Sequence, residues 1–142
     1  MNALSPVAWL EIAERLFLAI SLGAVIGIDR ELGEKAAGLR TNMLVSLGAA
    51  LFVLVPIQVE LTATDTTALA RTLQGIITGV GFVGAGSILR EGRVRGLTSA
   101  TAVWISAALG ISAGLGLWQL GLMGMGFAIA ILRLIKLLEK RM

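Results

Sequence analysis

Uncharged stretches separated by short charged segments set the plan of the chain. Arg40 and Glu60 enclose 19 uncharged residues, Arg71 and Arg90 enclose 18, and Gly96 to Leu132 runs for 37. About 20 apolar residues cross a bilayer core as a helix. The first two runs are therefore one span each. The third is two spans with a tight turn, marked by Gly114, Gly116, Trp118 and Gln119. The remaining run, Leu16 to Ile28, has only 13 residues. At about 1.5 Å per residue it falls short of a core about 30 Å thick. A helix there must take charge toward the membrane at one end or both, through Glu14 and Arg15 or through Asp29, Arg30 and Glu31. Either Arg15 snorkels and pairs with Glu11 one turn back, or some of these groups line a polar interior. The pattern predicts an all-α polytopic membrane helix bundle, a single domain over residues 1–142. Its five spans fall at about 12–30, 41–59, 72–89, 96–113 and 117–133, with a threonine-rich loop from Glu60 to Ala70.

Composition agrees with this class. The chain is 56% hydrophobic and 15% charged, with 18 glycines in 142 residues, and glycine is more frequent in membrane helices than in soluble ones. It has neither cysteine nor histidine, which removes thiol chemistry, disulfides, the usual zinc sites and His-based acid–base catalysis. The net charge of +3 does not indicate a nucleic-acid partner, because the basic residues flank apolar segments. Ten of the 12 basic residues fall on one side: Arg30, Lys35 and Arg40 after span one, Arg90, Arg93 and Arg95 after span three, and four in the tail. The positive-inside rule makes that side cytoplasmic, with the N-terminus outside and the C-terminus inside. Trp9 and Trp118 then lie at the outer interface. The first ten residues carry no basic segment of the kind that opens a cleavable signal.

The glycines fall in patterns. Gly79-x-Gly81-x-x-Gly84 matches a dinucleotide fingerprint in letters only, since no acid lies about 20 residues on and both flanks are membrane-apolar. Gly23/Gly27, Gly75/Gly79 and Gly110/Gly114 are small-xxx-small pairs that let helix backbones approach closely, and packing is their expected role. On span one the glycine face leads to Arg30 and Glu31, which should face protein. On span three Arg71 and Gln74 share a face leading to Thr78 and are expected to point inward. Aligning Gly38-Leu39 with Gly96-Leu97 also matches Val45 with Val103 and Ala49 with Ala107. Spans 1–2 and 3–4 then read as parallel repeats, with Thr41 and Thr98 (or Ser99) as helix N-caps. Asp29, Arg30, Glu31, Arg40 and Arg90 are expected to form one polar cluster at the cytoplasmic face. Helix N-termini at Thr41 and Thr98 would add partial positive charge suited to an anion such as a lipid phosphate. Asp29 and Glu31 are also candidate Mg²⁺ ligands, since one or two carboxylates suffice for that ion, but Arg30 between them favours internal ion pairs.

Four stretches together carry a family resemblance: Gly23–Glu31 (GAVIGIDRE), Lys35–Thr41 (KAAGLRT), Arg71–Gly86 (RTLQGIITGVGFVGAG) and Val94–Trp104 (VRGLTSATAVW), continued by Gly110–Gly116. The chain resembles the MgtC/SapB family of bacterial inner-membrane proteins. Asp29 and Ser99 look like conservative variants of the family pattern, and Arg71, Gln74, Thr98 and Trp104 stand at motif positions. Some members carry a soluble C-terminal domain that the sequence ending at Met142 does not include. The resemblance implies a role in adaptation to low magnesium and, in pathogens, in survival inside phagocytes. One member is thought to restrain ATP synthase through membrane contact.

Three functions compete on this footing. The first is a regulatory membrane protein acting through contacts with partners, sensing an ion or lipid. The second is a small transporter or channel built as a homo-oligomer. The third, an enzyme, is not expected, because no pair of carboxylates sits on a convincing intramembrane site. No cofactor is expected beyond Mg²⁺ or a bound lipid. A 14.8 kDa chain has little interior of its own, so a homodimer is expected, two-fold assemblies being the commonest.

Overall fold

A computed structural model describes residues 5–91 and 93–142, with residues 89–91 described by their backbone alone. Helices dominate: α1 (Trp9–Leu32), α2 (Leu39–Gln58), the single turn α3 (Leu61–Thr64), α4 (Ala68–Ala85), α5 (Leu97–Gly114), α6 (Trp118–Ala130) and, after a π-helical turn at Ile131–Ile135, α7 (Lys136–Glu139). Four segments are long and apolar enough to cross a membrane: Leu39–Gln58, Ala68–Ala85, Leu97–Gly114 and Trp118–Glu139. The fifth expected span corresponds to α1, and its 24 residues extend to about 36 Å. Its ends, however, carry Glu11, Glu14, Arg15, Asp29, Arg30 and Glu31, so it does not qualify on apolarity.

At the Trp9 end the arginine is taken up by neighbours. Arg15 pairs with Glu11 one turn back, and its Nη1 donates to the Gly114 carbonyl at 2.9 Å. It thereby satisfies one of the carbonyls that the end of α5 leaves open. Gln58 ties the lead segment to the end of α2, accepting from the Val7 N–H and donating to its carbonyl.

Between α4 and α5 the basic turn is a two-stranded antiparallel ribbon, β1 (Leu89–Glu91) and β2 (Arg93–Arg95), with Leu89 opposite Arg95. The charge pattern did not foreshadow these strands. The ribbon closes at Gly96, whose φ of 90° is left-handed and whose missing side chain leaves room for the Ser87 carbonyl, a conformation that suits glycine. The N-caps expected at Thr41 and Thr98 are not formed. Gly38 and Gly96 occupy those places, with no side-chain cap. For α2 the cap comes from the preceding helix instead: Glu31 Oε2 accepts the Leu39 N–H at 2.8 Å. The two aligned glycines thus precede equivalent helices. In each hairpin a glycine of the earlier helix meets an aligned position of the later one, Gly23 at Asn42 and Gly84 at Ala100.

The core is the trio α1, α2 and α5. A Cβ on Gly23 would stand 2.8 Å from Ser46 Cβ, and one on Gly27 would stand 2.7 Å from Leu39 Cα. From the other side, a Cβ on Gly110 would stand 2.8 Å from Ser46 Cα, and one on Gly114 would stand 2.9 Å from Ala50 Cα. So α2 lies between two glycine faces, and its Val53 and Ile57 are buried together with Leu22 and Ile26 of α1 and Val103 of α5. Helix α6 leans on this trio at Gly121, against Leu22. Helix α4 touches α5 closely at Gly84, but Gly75 and Gly79, expected as a packing pair, have no atom within 4 Å of the place a Cβ would take.

Candidate functional site

Among the described residues, those singled out by the sequence do not gather into one cluster. They divide among three arrangements at the basic end of the bundle. Glu31 caps α2, as described. Asp29, one residue before Arg30, accepts a hydrogen bond from Arg133 Nε at 2.9 Å, with side-chain exposures of 16% and 60% respectively. Arg133, read from sequence as part of a basic tail, lies on the π-helical turn, a feature that often marks functional positions. Arg40 is exposed and takes part in none of the ion pairs among the described residues. The Arg90 side chain lies outside the described residues.

Arg30 is the exception that went inward. The glycine face of α1 sits against α2, and Arg30, at the end of that face, is only 5% exposed. Its Nη2 donates to Ser99 Oγ at 3.0 Å. Its Nε is buried with no hydrogen-bond partner, and no carboxylate stands within ion-pairing distance of it among the described residues. A buried charge without a counter-ion is costly. The Arg30 wall, with Lys35, Thr98, Lys136 and Glu139, bounds a cavity of about 340 Å³ whose apolar side is Ile131, Leu132 and Ile135.

Below Arg30 runs a buried polar seam that was not singled out from sequence. Asn42 Nδ2 donates to the carbonyls of Ala37 and Gly38, at 3.2 and 2.8 Å. Ser106 Oγ donates to Asn42 Oδ1 at 2.7 Å, and Ser46 Oγ donates to the Ala19 carbonyl at 2.6 Å. All three polar side chains are fully buried. Helical spacing of uncharged polar residues, 42 with 46 and 99 with 106, is the signal that could have found them. The Asn42 amide donors close the start of α2 on itself, whereas the Ser106 and Ser46 bonds tie α5 and α1 to α2 where water is excluded, and satisfied buried polar groups of this kind specify one arrangement of the helices.

At the opposite end the expected inward pair is absent. Arg71 and Gln74 are exposed, and Arg71 reaches Asp65 Oδ2 at 3.3 Å. Asp65 lies in the loop before α4. Hydrogen bonds from the Thr67 hydroxyl and backbone N–H hold its carboxyl below the usual carboxylate range, with Arg71 a lesser contributor. Trp104 faces outward, 51% exposed. Asp29 and Glu31, the candidate Mg²⁺ ligands, have separate partners, Arg133 and the α2 N-terminus. Among the described residues no group of three acidic, histidine or cysteine side chains converges to hold a metal ion.

The chain is similar along most of its length to known bacterial proteins. It is 48% identical to Protein SrpB of Synechococcus elongatus, over 93% of this chain and 79% of that protein. It is 37% identical to YhiD of Escherichia coli over 90% of this chain, and 45% identical to Protein MgtC of Salmonella typhimurium over 71% of it. It spans 62% of YhiD and 42% of MgtC, so these two relatives extend well beyond the shared region. No solved structure matches it. The model of the MgtC family matches residues 16–141, which takes in the four apolar spans, the buried Arg30 and its Ser99 partner: this multi-pass membrane protein belongs to the MgtC family.

Proposed function

We propose that the protein is a regulatory component of the bacterial inner membrane, active in adaptation to magnesium limitation through contact with other membrane helices. Its N-terminus is placed outside and its C-terminus in the cytoplasm, on the positive-inside rule. The link to magnesium comes from relatives: E. coli YhiD carries the provisional name of a magnesium transporter.

One observation carries the contact reading. Between α2 and α4 runs an apolar groove of about 880 Å³, with Leu44, Phe52 and Val83 on its walls and Gly48, Gly75 and Gly79 along its floor. These three glycines have no neighbour where a Cβ would stand, whereas Gly23, Gly27, Gly110 and Gly114 are filled from within the chain. A small-xxx-small face without an internal partner suits a helix from another molecule, and a second copy is the first candidate. Leucines at Gly75 and Gly79 should abolish cross-linking between single-cysteine copies in membranes and remove the growth benefit at low magnesium. Unchanged cross-linking and unchanged growth would refute the reading. Mg²⁺ flux into liposomes holding only this protein would favour the transporter instead.

A further inference from the structure

We propose that the cavity at the basic end is a site for a phosphate ester, specifically the headgroup of an anionic phospholipid whose acyl chain lies in the adjoining groove between α5 and α6. Four observations converge on it. Arg30 is 5% exposed on the cavity wall, its Nε has no acceptor, and its guanidinium lacks a carboxylate partner among the described residues. The nearby Asp29 is already engaged by Arg133. Lys35 and Lys136 add two further positive charges to the lining, against Asp29 and Glu139. The N-terminus of α5, 18 residues long and without a side-chain cap, opens at Thr98 on the same wall, and such ends favour anions.

The fourth observation separates a lipid from a free anion. Thr98, Ile131 and Leu132 line both this cavity and a second, apolar groove of about 300 Å³ that continues past Ile105 and Phe127. A polar pocket that opens into a hydrocarbon-lined groove matches a molecule with a phosphate at one end and a chain at the other. Basic pockets between membrane helices are recognised sites for anionic headgroups. The phosphate would supply the counter-charge that Arg30 lacks.

The test uses the full chain in nanodiscs of mixed phosphatidylglycerol and phosphatidylcholine, followed by native mass spectrometry. The expected result is retention of phosphatidylglycerol in preference to phosphatidylcholine, undisturbed by millimolar inorganic phosphate. Lys35→Gln with Lys136→Gln, both exposed and outside the helix core, should weaken retention about thirtyfold. Gly124→Leu, which adds bulk on the lining of the apolar groove beside Leu109, should weaken it with all charges intact. Equal retention of the two lipids, or no effect of either substitution, would overturn the proposal. Phosphate binding without lipid retention would overturn the lipid assignment.

Discussion

Gly110→Ala and Gly79→Ala should move stability in opposite directions, although each glycine belongs to a G-xxx-G pair in an apolar helix. At Gly110 a Cβ would stand 2.8 Å from Ser46 Cα and would press on the Ser46 carbonyl. Both contacts are backbone, so α5 must shift from α2, carrying Ser106 away from Asn42. Overpacking of this kind costs about 1–3 kcal/mol. The lower conformational freedom of alanine in the unfolded chain returns roughly 0.4–1 kcal/mol. The net effect is a loss of about 0–2.6 kcal/mol, with a further loss if the Asn42–Ser106 bond breaks. At Gly79 nothing lies within 4 Å, so only the favourable term remains, a gain of about 0.4–1 kcal/mol. Steric-trapping unfolding in bicelles, at dilutions where the chain is monomeric, measures both. Equal shifts for the two variants would refute the packing of α5 on α2 described above.

Other expectations follow from particular bonds. Asn42→Ala takes away the side chain that the Ser106 hydroxyl and the Ala37 carbonyl bond, and should cost about 1–3 kcal/mol in the same unfolding assay. The Asp29–Arg133 pair is half solvated on the arginine side, so a double-mutant cycle should give a coupling no greater than about 1 kcal/mol, falling with added salt. Asp65, whose carboxyl is held low by Thr67, adds stability that is fully present above its unfolded pKa and is lost as pH falls through the lower folded value. Thr67→Val should raise that pKa toward the ordinary range, read by a carboxyl NMR titration, and should shift the acid-induced loosening of the α3–α4 loop to higher pH.

Much of the plan was legible in the residues. The uncharged runs at 41–59 and 72–89 became α2 and α4, and the 37-residue run became α5 and α6 with the turn at Gly114–Trp118. A bilayer demands about 20 apolar residues in a row and punishes charge inside it, so length and charge alone mark a span. The one short run, 16–28, showed that α1 must take charge with it, and Arg15 pairs with Glu11 as one of the two alternatives required. The inward course of Arg30 followed from the glycine spacing on the same helix face.

What the sequence by itself could not determine is which of several equivalent faces meets another helix. Gly23/Gly27, Gly75/Gly79 and Gly110/Gly114 carry the same signal, yet two pairs are filled by α2 and one opens to the groove. Arg71 and Gln74 obey the spacing of an inward face and are exposed, because α4 turns Ile76 and Gly84 to the bundle instead. Lipid tails are as apolar as a protein core, so hydropathy does not separate a lipid-facing side from a buried one. Long-range pairing was equally hidden: Asp29 with Arg133 spans 104 residues, and Asn42 with Ser106 spans 64. Helical periodicity places a residue on a face of its own helix. Only the packing of α1, α2 and α5 on one another decided which faces close, leaving Arg30 buried beside a cavity rather than joined to its sequence neighbours.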